Sequence, residues 1–306
     1  MTTPSQLSTR PQLLRSCWQI LKRQPKLLLF PLVNATVAAV IALFFMSQPL
    51  LEFQVNAWLT AQPPESAEEK IAQSNSLAVA LGLIAFYVFT MFAATFVNVA
   101  FYHEIFRAME SGTVSIRRGL RFAAGRLRSI FLWSLLASTV GILLKAIDLL
   151  LQTTEGRLGL LGAFLARVVW MLLGAAWSMA AIFVIPTLIR DEKAGPLTLL
   201  RNSTLTLKNT WGESIPPYLG FLRTKVITFF CLLILGLICA FGIATIFGLP
   251  VIIVSVAFIS LSIFGWAWVA AVVTHVYRCA LYIYATEGVV PEPFTPELMD
   301  ADWKMN

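Results

Sequence analysis

The side chains in this sequence that are equipped for chemistry are few and widely separated. His103-Glu104 opens like the zinc-binding helix His-Glu-x-x-His, but Arg107 stands where the second histidine belongs. A metal centre would have to gather His103, Glu104 and His275, the only other histidine, from two different apolar segments. These three are weak candidates, and no metal or cofactor is expected. Lys145 and Asp148 lie three apart on one helical face, and Arg167 follows in the next apolar segment. Ionisable groups inside such segments suggest a proton or ion relay. Depth favours a structural cluster instead: Lys145 lies about 22 Å along its helix at 1.5 Å per residue, near enough to the far surface for its stem to reach headgroups. Asn34 and Asn98 sit at matching depths and are expected to bond across a hairpin, a contact worth about 0.6 kcal/mol. The sequence contains no phosphate-binding glycine loop, dinucleotide fingerprint or nucleophile elbow, so no catalytic residues are assigned.

Composition explains why chemistry is so sparse. Of 306 residues, 58% are hydrophobic and 13% charged, with a mean hydropathy of +0.77. Soluble domains carry roughly a quarter charged residues, so this chain reads as an integral membrane protein. The formal net charge of +7 lies beside apolar segments rather than in a soluble domain. Its expected partner is therefore anionic lipid headgroups and not nucleic acid. Cys17, Cys231, Cys239 and Cys279 are even in number but imply no disulfide framework, because two share one apolar segment.

The elements that must position these residues are helices. Apolar runs predict six spans, at about 27–46, 77–101, 130–151, 168–189, 226–247 and 251–274, each near the 20 residues that cross a hydrocarbon core. Pro31 is expected to kink the first, which reads as a retained anchor rather than a cleaved signal. Thr153 to Arg157 reads as the turn between spans three and four, with 158–167 as an interfacial extension. The whole chain is read as one membrane domain. A tail at 286–306, with Pro291, Pro293 and Pro296, is expected to be extended and cytoplasmic.

Three basic amphipathic stretches precede the hairpins. Leu14-Arg15 to Leu21-Lys22, Leu120-Arg121 to Leu127-Arg128 and Leu200-Arg201 to Leu207-Lys208 each place Leu-basic pairs seven residues apart. Seven residues is about two helical turns, which would stack both leucines on one face and both cations on the adjoining one. The pattern suggests a threefold pseudo-repeat of helix plus hairpin, over 8–106, 112–190 and 195–285. In the first copy Trp18 reads as an interfacial anchor, with packing of that helix on protein as the competing reading. In the third, Trp211 ends the stretch and Thr204-Leu-Thr-Leu207 alternates, so strand competes with helix.

Charge sets the sidedness. The stretches 1–26, 102–129, 190–225 and 275–306 carry five, six, six and two Lys or Arg, against Lys70 and Arg157 in the opposite loops. By the positive-inside rule both termini and all three amphipathic helices are expected on the cytoplasmic face, as a single basic belt.

Leu27-Leu-Leu-Phe-Pro31-Leu32, Gly174-Ala-Ala-Trp177-Ser178, Pro186, Gly195-Pro196, Leu200-Arg201-Asn202-Ser203, Thr210-Trp211-Gly212-Glu213 and Cys279-Ala-Leu-Tyr282-Ile-Tyr284-Ala285 resemble a family of multi-pass bacterial membrane proteins of unknown function. The layout is more loosely similar to the membrane domain of some glycerophosphodiester phosphodiesterases. Pro216-Pro217 and the basic stretch Arg223 to Lys225 depart from that pattern and leave the start of span five unsettled. The resemblance implies a bacterial inner-membrane location and carries over no catalytic residue. The expected fold is an all-helical six-span bundle. The expected function is non-enzymatic engagement of anionic lipid, or of a membrane partner or second copy of the chain, through the basic belt. The alternative is a transporter or channel for a small solute or lipid, with its pathway inside the bundle.

Overall fold

The computed structural model describes residues 4–36, 39, 67–110, 112–192, 194–211, 233–234, 249–296 and 299. Among them every regular element is helical. They are α1 (Pro4–Arg23), a 3-10 helix (Pro25–Leu29) running into helical residues 30–36, α2 (Ala67–Met109), α3 (Ile116–Ala124), α4 (Leu127–Ala180), α5 (Val184–Arg190), α6 (Pro196–Trp211) and α7 (Leu249–Glu287). Four stretches are long and apolar enough to cross a membrane: Leu81–Met109, Leu127–Leu151, Leu161–Arg190 and Ala257–Glu287. They coincide with expected spans two, three, four and six. The first expected span is described only to residue 36 and at 39, and the fifth only at 233–234; the rest of both lies outside the described residues.

α4 contains 54 residues and is interrupted at Gly159, whose φ of 65° and ψ of 171° suit a residue without a Cβ. The helix runs on through Thr153 to Arg157, so the reversal comes later than the expected turn. The second arm is helical as far as Ala180. Contacts pair residues progressively farther from Gly159 on both sides. Asp148 meets Arg167, the Leu144 carbonyl accepts from Trp170 Nε1 at 3.0 Å, and Trp133 stacks on Trp177 with centroids 6.0 Å apart. The two arms are therefore antiparallel. α2 packs along the first arm in the same reversed order, through Phe92 edge-on to Phe131, the Ser134 hydroxyl toward the Met91 carbonyl, and Tyr87 against Gly141.

Beyond Ala180 the span breaks over 181–183 and resumes as α5. Pro186 causes the break, because its ring has no N–H and crowds the carbonyl four residues back. Broken backbone in an apolar setting must find partners. Here Ser203 of α6, fully buried, supplies both: its hydroxyl accepts from Phe183 N–H at 3.1 Å and donates to the Ala180 carbonyl at 2.6 Å. The alternating Thr204 to Leu207 segment is helical, with Leu199 and Ser203 forming the buried stripe that burial on the broken span selects.

By its contacts the chain divides into two compact units, one of Met1–Pro31, Tyr102–Ile116 and Thr204–Asn306, the other of Leu32–Phe101 and Arg117–Ser203. In the first, α1 and the 3-10 helix pack on α7, and Trp268 Nε1 donates to the Leu28 carbonyl at 2.9 Å. Gly288, with a φ of 67°, ends α7 in the left-handed conformation common after helices. The chain then turns back to α1: Ser16 Oγ donates to the Pro293 carbonyl at 3.2 Å, and Phe294 and Met299 are buried. The start of the expected tail is thus packed against the first helix.

Candidate functional site

α1 shows how an amphipathic helix can serve two surfaces at once. Leu13, Ser16, Cys17, Ile20 and Leu21 are buried, on one arc of about 140° at 100° per residue. Each buried leucine or isoleucine contributes about 2 kcal/mol, which fixes the helix on protein. Burial also pushes the Cys17 thiol up to about 12, so it stays neutral and serves as a packing group. Leu14 and Trp18, one turn apart, are instead 44% and 42% exposed, and Arg15 and Lys22 occupy the adjoining exposed edge. From sequence, Leu14 and Trp18 fall on one apolar face with Leu13, Cys17, Ile20 and Leu21, with Trp18 as the expected interfacial anchor. The structure separates Leu14 and Trp18 into an outward apolar edge bordered by cations, the arrangement that suits a membrane interface.

The other two basic stretches differ from this pattern. The second copy is not one helix: α3 ends at Ala124, a turn occupies Gly125-Arg126, and Leu127-Arg128 begins α4. The seven-residue stacking of Leu120 on Leu127 therefore does not apply. Glycine weakens the helix there, and Arg126 gains better partners in the turn. Its guanidinium donates to the Leu188 carbonyl at 2.6 Å, lies 4.6 Å from the Phe122 ring centre, and stands 4.0 Å from the Glu192 carboxylate. A cation on a carbonyl in the last turn of α5 complements that helix's dipole. In the third copy, Leu200 and Leu207 are half-buried on one continuous helix. Arg121, Arg128, Arg201 and Lys208 are all exposed, as are Arg15 and Lys22. Trp211 closes α6, its side chain lying outside the described residues.

At the Gly159 end of the hairpin, Asp148 holds two cations. Lys145 Nζ lies 3.0 Å from Oδ2 and Arg167 Nη1 2.7 Å from Oδ1, while Arg167 also lies 5.8 Å from the Trp170 ring centre. The three sequence candidates thus converge into one cluster joining both arms, and both carboxylate oxygens are engaged. Asn34 Nδ2 reaches Asn98 Oδ1 at 3.5 Å, a long bond between the two expected partners.

The histidines do not converge on Glu104. His275 Nδ1 lies 2.8 Å from the Tyr102 hydroxyl, whereas His103 Nδ1 lies 3.3 Å from Glu104 Oε1. No group of three or more His, Cys, Asp or Glu suited to a metal ion occurs among the described residues. Glu104, completely buried, accepts instead from Ser115 N–H at 2.7 Å. Gln24 assists from α1's end, donating to the Gly112 carbonyl at 3.2 Å and accepting from Val114 N–H at 3.3 Å. Both side chains thus fix the segment that leads from α2 to α3. Sequence reasoning missed these roles, along with those of Ser203 and Arg126. The signals were Pro186, whose break demands a substitute partner, and Gly125, whose turn frees Arg126.

Residues 77–291 match the model of a family of unknown function, DUF6159. No curated protein and no solved structure matches the chain.

Proposed function

We propose, from the premise that this chain belongs to the DUF6159 family of unknown function, that it is a non-enzymatic protein of the bacterial inner membrane that engages anionic lipid through its basic amphipathic helices. Its termini and basic stretches then face the cytoplasm, as the distribution of Lys and Arg favours. The observation that carries this reading is α1. Its buried arc is already spent on protein, so the exposed Leu14–Trp18 edge beside Arg15 and Lys22 is left for another surface. An aromatic side chain at headgroup depth with cations alongside suits a phosphate-bearing interface. Each such cation is worth about 1 kcal/mol near an anionic leaflet and is screened by salt.

The test uses the full chain in bilayers of mixed phosphatidylglycerol and phosphatidylcholine, with spin-labelled lipids competing for the protein surface. The wild-type protein should prefer phosphatidylglycerol, and the preference should shrink at high salt. Neutralising Arg15, Lys22 and Arg121 to glutamine together should remove most of it. An unchanged preference in that variant would overturn the proposal.

A further inference from the structure

We propose a discrete phosphate-ester site in the second unit, where the start of α4 meets the start of α6. A cavity of about 470 Å³ opens there, lined by Gly125, Arg126, Arg128, Ser129, Glu192 and Gly195 among others. Its lining is largely apolar surface on which two arginines and one serine supply the side-chain donors. Arg128 offers a guanidinium suited to bidentate grip on phosphate oxygens, and Arg126, already donating to the Leu188 carbonyl, adds its positive charge. Arg126 is held in place by the Leu188 carbonyl and the Phe122 face, so it is presented at no further ordering cost. Arg128 is exposed and has no ion pair among the described residues, which leaves it adaptable.

The backbone adds to this donor set. Arg126 is the cap residue of α4, and no side chain caps that helix. An arginine has no acceptor with which to do so. The amides of Leu127, Arg128 and Ser129 precede the first intrahelical bond, Ile130 N–H to the Arg126 carbonyl at 3.0 Å, and therefore lack helical partners. α6 begins beside the same cavity with Gly195 and Pro196. Two helix starts and two arginines outweigh the single carboxylate of Glu192, which is 71% exposed and already stands by Arg126.

The setting is that of a lipid headgroup. Arg128, Phe131 and Leu135 share one stripe of α4 at three- and four-residue spacing, and all three are exposed. The stripe leads from cation to apolar side chains, as a phosphate ester leads to its acyl chains. This site takes only its membrane setting from the preceding reading, because its recognition is concave and local rather than spread over helix edges.

The experiment titrates dioleoyl phosphatidylglycerol into the full chain in phosphatidylcholine nanodiscs, with inorganic phosphate as competitor. Arg128→Gln should weaken phosphatidylglycerol binding about tenfold, the usual worth of one charge-assisted contact. Gly195→Phe should do the same by placing a ring at the cavity wall with both arginines retained; a Cβ at Gly195 meets nothing within 4 Å, and an unfolding melt that matches wild type is the control for the larger side chain. Arg117→Gln, on α3 and away from the cavity lining, should bind like wild type. Displacement by millimolar inorganic phosphate assigns the site to phosphate in general, and resistance to it assigns the site to the lipid; both support the proposal. If Arg128→Gln weakens binding but Gly195→Phe does not, the cavity is overturned while the reading of basic helix edges stands. Equal binding by all three variants overturns the site outright.

Discussion

The two ends of the α4 hairpin place charge in opposite ways. Near Gly159, Lys145 and Arg167 are drawn onto the two oxygens of Asp148, whose side chain is only 10% exposed. At the end where α4 begins, Arg128 is exposed without an ion pair among the described residues, and Arg126 is fixed beside a cavity. One end spends its charges on itself. The other keeps donors facing outward. Since the same two helical arms join both ends, the contrast is not a difference of fold but of what each end has left to offer. Substitutions at the Gly159 end should act on stability, and substitutions at the α4 start on binding.

The largest stability effect is expected from Asp148→Leu, which leaves two cations without their shared partner. Breaking a well-buried pair costs about 3–5 kcal/mol, but both cations here are substantially exposed, so about 2–3 kcal/mol is expected. Unfolding in detergent would measure it, and phosphatidylglycerol binding should be unaffected. A variant that loses flux through the protein at unchanged stability would break the contrast, because the cluster would then be serving a relay. Next in size is Ser203→Ala. It orphans the Phe183 amide in the broken span, at a cost of about 1–2 kcal/mol by the same assay. Ser203 sits at the end of the second arm, opposite the Gly159 end of the hairpin, yet its bonds are internal. It should therefore behave like Asp148, with a loss of stability and no direct loss of lipid affinity.

How much of this was legible beforehand depends on whether a residue's partner is near in sequence. Lys145, Asp148 and Arg167 announced themselves because charge is conspicuous in an apolar run, and spans two, three, four and six followed from length and composition alone. The turn was expected at Thr153 to Arg157, a polar stretch that includes Gly156, whereas the helix breaks at Gly159, and sequence alone does not say which of two nearby glycines takes the positive φ. Leu14 and Trp18 share one apolar face with Leu13, Cys17, Ile20 and Leu21 in the sequence pattern, because hydrophobicity alone does not separate the apolar side chains that are buried on protein from those left exposed. Ser203 carries no local signal of its own. Its task is set by Pro186, seventeen residues earlier, through contacts that no local pattern records. The second basic stretch misled in the opposite direction, since Leu120, Arg121, Leu127 and Arg128 keep perfect spacing across a turn that destroys its meaning.

The smallest stability effect is the one that sharpens the contrast most. Arg128→Gln removes an exposed charge from the first turn of α4, where a cation opposes the helix dipole. Its loss should leave stability within about 0.5 kcal/mol of wild type, and any change should favour the variant. A side chain retained at a mildly unfavourable position contributes something other than fold stability, and a bound phosphate would reverse the sign of its interaction there. Unfolding with and without phosphatidylglycerol separates the two terms. In phosphatidylcholine alone the variant should melt at or just above wild type. With phosphatidylglycerol present wild type should gain stability that the variant does not, because a ligand that binds only the folded state stabilises it in proportion to its occupancy. If Arg128→Gln instead destabilises the protein in both lipids alike, the arginine is holding α4 in place, and the two ends of the hairpin differ less than their charges indicate.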